Sequence, residues 1–159
     1  MIDGRANNER CVLFGAKVRT TKVDLMENEK VFAMSFSKVY GLLIAKAERK
    51  GRTKAEVEEV TFWLTGYSAQ QIDEFMDSEI SYGDFFRQAP AMNPNREKIT
   101  GVVCGIRVEN VENSLMRDIQ YLDKLVDKLT RGKAMEKILR ESKTYTTSII
   151  YNRSKKVLS

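Results

Sequence analysis

Cys104 stands between Gly101 and Gly105 and is followed by Arg107 and Glu109. Glycines let a ligand approach the backbone closely, and a nearby arginine favours the thiolate, the nucleophilic form of cysteine. Cys104, Arg107 and Glu109 are therefore the candidate ligand site of a small-molecule enzyme. The plainer account is structural, because a lone cysteine among valine and isoleucine behaves as a small buried hydrophobe. Lys46, Arg49, Lys50, Arg52 and Lys54 form a second cluster, placed where a helix end and its following turn could hold phosphates. Cations in the last turn of a helix also complement its dipole, which accounts for these residues without a ligand. Glu56, Glu58, Glu59, Asp123 and Asp127 come with neither a metal-binding loop nor a glycosidase context and read as exposed helix faces. The sequence has no histidine and two distant cysteines, Cys11 and Cys104. This excludes Ser-His and Cys-His nucleophile pairs, the HExxH zinc motif and a disulfide framework. No catalytic residue, metal site or cofactor is assigned.

The net charge of +5 suggests nucleic acid until it is divided along the chain, where residues 1–26 carry +2, residues 27–141 carry −1 and residues 142–159 carry +4. The basicity belongs to the ends, so the central region is expected to bind nucleic acid weakly or not at all. The stretch Thr53 to Met76 has a helix-turn-helix outline, but Asp73, Glu74 and Asp77 on its second helix would face phosphates and repel them.

These residues must be positioned by helices. Phe36, Val39, Tyr40, Leu43, Ile44 and Ala47 recur at three and four residue spacing before Gly51. Thr53 with Glu56, and Ser68 with Gln71, are capping-box pairs opening the second and third helices. Ser81 to Ala89 reads as a short helical turn ended by Pro90. Asn93 and Pro94 predict another helix carrying Ile99, Val102, Val103 and Ile106, with one short strand over 102–108 as the alternative. Asn113 caps a long helix, Ser114 to about Arg131, with Leu115, Ile119, Leu122, Val126 and Leu129 on one stripe. A last helix follows Gly132 and offers Met135, Ile138 and Leu139. Trp63 and Tyr67, one turn apart, are expected in the core or a groove wall. The fold class is mainly α, a bundle of about six helices. A poorly organised extension (1–26) precedes the single domain (27–141), and a basic tail (142–159) follows it; Thr144 to Tyr151 has the outline of a stray strand, but the surrounding lysine and serine argue for a loose tail.

Several blocks in one order resemble the bacterial proteins of domain-of-unknown-function family 2200, from about Val31 to Arg140. They are Lys46-Ala-Glu-Arg-Lys-Gly-Arg-Thr-Lys54, Trp63-Leu-Thr-Gly-Tyr67, Asn93-Pro-Asn95, Ile99-Thr-Gly101, Cys104-Gly-Ile-Arg-Val-Glu109, Tyr121-Leu-Asp-Lys-Leu-Val-Asp127 and Gly132-Lys-Ala-Met-Glu-Lys-Ile-Leu139. Gly41 and Ser114 stand where proline is common in that family. The resemblance implies no catalytic or binding role. Because it starts a few residues after Met26, residues 1–25 are expected to be dispensable. The expected function is a small non-enzymatic interaction or structural module in the cytoplasm, away from membranes, acting through a protein partner or its own dimer. The alternatives are nucleic-acid binding through Lys46 to Lys54 and an enzyme around Cys104.

Overall fold

Helices in this chain begin where short polar side chains accept hydrogen bonds from backbone N–H groups that would otherwise lack a partner. The computed structural model describes residues 22–103 and 105–139. Among them are seven α-helices: α1 (Lys22–Ala33), α2 (Phe36–Glu48), α3 (Lys54–Thr65), α4 (Ala69–Met76), α5 (Tyr82–Arg87), α6 (Ser114–Thr130) and α7 (Met135–Leu139). Thr53 and Glu56 close a reciprocal capping box on α3, and Ser68 and Gln71 do so on α4. Ser81 accepts from the Asp84 N–H at 3.1 Å to start α5, and Asn113 accepts from the Met116 N–H at 2.9 Å to start α6. The mainly helical bundle is the observed fold. Helix α1 joins it at a stretch where the sequence shows no apolar stripe; its inward residues, Val31 and Phe32, lie close to its end. Residues 1–21, Cys104 and the tail 142–159 with its suggested strand lie outside the described residues.

The segment 94–106 departs from the helix expected of it. Asn93 does act as a cap, accepting from the Asn95 N–H at 2.9 Å, but Pro94 opens only a 3₁₀ turn, Pro94–Lys98. Strands β1 (Val102–Val103) and β2 (Ile106–Arg107) then pair antiparallel, with Val102 opposite Arg107 and Val103 opposite Ile106. Gly101 and Gly105 adopt φ of +114° and +78°, a region glycine enters freely and helices do not use. The intervening valines favour extended backbone. A second 3₁₀ turn, Val108–Asn110, leads into α6.

Helix α6 is the centre, packed against α2, α3, α5, α7 and β1. Ile119, Leu122, Val126 and Leu129 of its stripe are fully buried, while Leu115 is partly buried. Beside them lies an aromatic block. Phe36 stacks on Tyr40 and on Phe85, with ring centroids 5.0 Å and 4.2 Å apart, and Phe75 meets Tyr67 edge-on at 5.1 Å. Trp63 and Tyr67 are both core residues. The starts of α2 and α5 are joined by a single antiparallel bridge between Ser35 and Ser81. There the Phe36 N–H donates to Ile80 O at 3.0 Å and the Tyr82 N–H to Met34 O at 2.7 Å. At the end of α3, Gly66 has φ of +81°, and the returning chain lies against it. The Ala91 N–H donates to Thr65 O at 3.1 Å and the Asn93 N–H to Leu64 O at 2.9 Å, so backbone amides satisfy terminal carbonyls of α3.

Because Leu122 is fully enclosed, Leu122→Asp is expected to cost at least about 3 kcal/mol through burial of a charge. Chemical denaturation checks this: an unchanged midpoint would place the stripe at the surface.

Candidate functional site

The cations predicted to converge near the end of α2 are instead dispersed by ion pairing. Lys46, in the last turn of α2, turns inward with 5% of its side chain exposed and donates from Nζ to Asp123 Oδ1 of α6 at 3.4 Å. Burial pushes the Asp123 carboxyl up, and the neighbouring Lys46 charge draws it back. Arg52 pairs with Glu56 at 2.9 Å, and Lys54 bridges Asp73 at 2.8 Å and Glu58 at 3.3 Å. Arg49 and Lys50 remain exposed at the helix end. The five residues thus do not share one cationic face, and Lys46 in particular is a core ion-pair partner.

Of the second predicted cluster, Arg107 and Glu109 do come together, and Cys104 lies outside the described residues. Glu109 accepts from Arg107 Nε at 2.9 Å and from the Gly101 N–H at 3.1 Å, while the Val108 N–H donates to Gly101 O at 3.0 Å. Glu109 thereby clamps the base of the hairpin. Backbone N–H groups, its own first and then that of Gly101, hold its carboxyl below the usual range, with Arg107 adding to the effect.

Around the Lys46–Asp123 pair the interior is unusually polar. Tyr40 Oη and Thr61 Oγ1 lie 3.0 Å apart, and Thr61 also donates to Val57 O at 2.7 Å. The Tyr82 hydroxyl and both amide atoms of Gln120 are buried with no hydrogen-bond partner among the described residues. Burial raises the phenols of Tyr40 and Tyr82, and the Asp123 charge raises Tyr82 further. Tyr67 is pushed up to about 12 by burial and donates to Phe85 O at 2.8 Å. These phenols stay neutral over the physiological range, so they shape the core and do not serve as bases. Among the described residues no three carboxylates or thiols gather as a metal site.

A different constellation, one that no reading of the sequence singled out, lies where α6 ends. Lys124, Lys128, Arg131, Lys133 and Lys137, with Thr100, Gly132 and Ala134, line an open cleft of about 690 Å³. Lys124 and Lys128 have buried stems on α6, as long side chains do when they carry their charge along apolar surface. Lys124 Nζ is fixed by donating to Val102 O at 2.8 Å and to Asp127 Oδ2 at 3.5 Å. Gly101 permits this approach: a Cβ there would stand 3.3 Å from Lys124 Cε. Arg131 Nε contacts the same Asp127 Oδ2 at 3.0 Å, a pair four residues apart in the favourable acid-first order. Asp127 therefore holds two cations in place without matching the charge of both. Lys133, from the turn, and Lys137, from α7, also line the cleft and are exposed to solvent. The signal was present as cations at 124, 128 and 131, which share one helical face, continued by 133 and 137.

The fold and this cleft define a small, mainly helical domain built around one central helix. Residues 30–140 match the family DUF2200, described as uncharacterized protein conserved in bacteria, and the chain belongs to that family. The crystal structure of uncharacterized protein SP1917 is similar to it with a TM-score of 0.68 and 47% sequence identity, covering 70% of this chain and 92% of that one. No curated protein matches the sequence.

Two predictions concern the polar interior. Lys46→Met and Asp123→Leu should each destabilise, and together they should cost less than their sum, with a coupling of about 1–3 kcal/mol in a double-mutant cycle; additive effects would show that the pair does not interact. Tyr82→Phe removes a hydroxyl that has no described partner, so it should leave neutral-pH stability within about 0.5 kcal/mol, whereas Tyr67→Phe loses its bond to Phe85 O and should cost about 1 kcal/mol. Phenols whose folded pKa is raised contribute fully below their unfolded value, and the contribution falls as pH climbs above about 10. Tyr82→Phe should therefore flatten the alkaline limb of a denaturation-midpoint profile; an unaltered limb would mean that Tyr82 titrates normally.

Proposed function

We propose that this domain is a non-enzymatic cytoplasmic interaction module that recognises an anionic partner through the cleft at the C-terminal end of α6. The observation that carries this reading is the convergence of Lys124, Lys128, Arg131, Lys133 and Lys137 on one concave surface. Asp127 holds Lys124 and Arg131, and Glu136 on the neighbouring α7 is not part of the lining. Two elementary effects favour positive charge here, the negative end of the α6 dipole and Asp127. Asp127 is shared by Lys124 and Arg131 and matches the charge of one of them, and Lys133 and Lys137 add two further positive charges to the lining. An anionic group on a partner would relieve their mutual repulsion, and the concave wall would raise its local concentration.

The test compares the full chain with Lys133→Glu/Lys137→Glu, two exposed positions that carry no core packing. Thermal midpoints are measured with sulfate, citrate, phosphate and polyglutamate at constant ionic strength. A ligand present at about 100 times its Kd stabilises by about 2.7 kcal/mol, a shift of several degrees for a small domain. At least one anion should raise the midpoint of the parent and not of the variant. Equal shifts in both proteins, or no shift with any anion, would overturn the reading.

A further inference from the structure

We infer that the amide of Gln120 is an internal water-binding site, at the seam where α6 meets the β1–β2 hairpin on one side and α2 on the other. The site is separate from the cation-lined cleft, whose lining does not include Gln120, and it does not rest on the anion-binding reading above. Gln120 is 1% exposed, and neither its Nε2 nor its Oε1 has a hydrogen-bond partner among the described residues. A glutamine amide carries two N–H donors and a carbonyl with two lone pairs. Taking such groups out of water without a partner is costly, and buried ones are almost always bonded, to protein or to ordered water.

The place of the residue on α6 favours water over protein as the partner. Gln120 precedes Lys124 by four positions and shares its face of the helix, and from that face Lys124 reaches Val102 O of β1 at 2.8 Å. It precedes Asp123 by three, and Asp123 is engaged by Lys46 of α2. The polar groups on the next turn are thus committed to partners of their own. The side chains that the segment 99–108 buries, Ile99, Val103 and Val108, are apolar, as are Met116 and Ile119 on the turn before Gln120. Side chains of this kind offer an amide no hydrogen bond.

Water suits the position because it both donates and accepts. A single molecule can take a proton from Nε2 or give one to Oε1, and it can extend its remaining bonds to backbone groups that a glutamine cannot reach directly. Internal waters typically make about three hydrogen bonds to otherwise unsatisfied polar groups. The backbone turns at Gly101 and Gly105, where the hairpin beside α6 is too short for a regular ladder, supply carbonyl and N–H groups of that kind on the same side of the helix.

The test uses the full chain in solution. Water–protein NOE and ROE spectra are recorded on protein carrying nitrogen-15 in its glutamine side chains. A long-lived water gives cross-peaks of opposite sign in the two spectra, whereas proton exchange with solvent gives the same sign in both. At least one of the Gln120 amide protons should show the opposite-sign pattern. Oxygen-17 relaxation dispersion then counts long-lived waters. Gln120→Met keeps the length of the side chain and removes its hydrogen-bonding groups, so it should hold roughly one fewer than the parent. Gln70→Met, at an exposed position on α4, should hold as many as the parent. Absence of the opposite-sign pattern at both Gln120 amide protons would overturn the inference from the parent protein alone, whether or not the variant folds. An equal water count in the parent and in folded Gln120→Met would overturn it as well, as would a scalar coupling that shows the amide bonded directly to a protein group through both its nitrogen and its oxygen.

Discussion

Helix α6 gives up most of its surface between Met116 and Leu129 to other parts of the chain, and a helix enclosed on several sides cannot keep all its polar residues in water. Desolvation then dictates the rest. Asp123, on the buried side, is met by Lys46 from α2, so the end of α2 is oriented by an internal charge and not by solvent. Gln120 sits one turn before, buried with its amide unpartnered among the described residues. The buried polar groups lie where α2, α3, α5 and α6 meet, and the aromatic block of Phe36, Phe75 and Phe85 fills the adjoining volume.

The same enclosure governs the charged side chains of α6. The helix reaches water at Ser114, Arg117 and Asp118 near its start and at Asp127 and Thr130 near its end, while Lys124 and Lys128 between them bury most of their length. The hairpin of β1 and β2 is tied to α6 by the hydrogen bond from Lys124 to Val102. Gly101, one of the two glycines that broke the expected helix, also leaves room for this lysine, since a Cβ there would stand 3.3 Å from Lys124 Cε. Core packing, hairpin geometry and surface charge are linked through one lysine.

Much of this was legible in the residues. Capping pairs located the starts of α3 and α4, the apolar stripe located α6, and Gly51 located a helix end, because these signals act over a single turn. What was not legible depended on distance in sequence. Asp123 and Lys46 are separated by 77 positions, and nothing local to either reveals the other; Lys46 accordingly read as part of a basic cluster. Helix α1 lacks an apolar stripe and is held by contacts with α5. In 99–106, competing periods of helix and strand were decided by the backbone angles of two glycines, which a sequence pattern does not contain. The cleft is assembled from α6, the turn that follows it and α7, so the pattern of no single element announces it, although Lys124, Lys128 and Arg131 share a helical face.

The bridge between Ser35 and Ser81 has a topological meaning. The chain leaves through the start of α2, builds α2, α3 and α4, and comes back to the same point before entering α5. Residues 36–80 are thus a closed excursion whose two ends are held by a pair of backbone hydrogen bonds. Loop-closure entropy grows only with the logarithm of length, about 0.6 kcal/mol for each doubling. A lengthening of the turn between α4 and α5 would therefore add little to the entropy of closing this loop, so an insertion there would lengthen the excursion without reopening the rest of the fold.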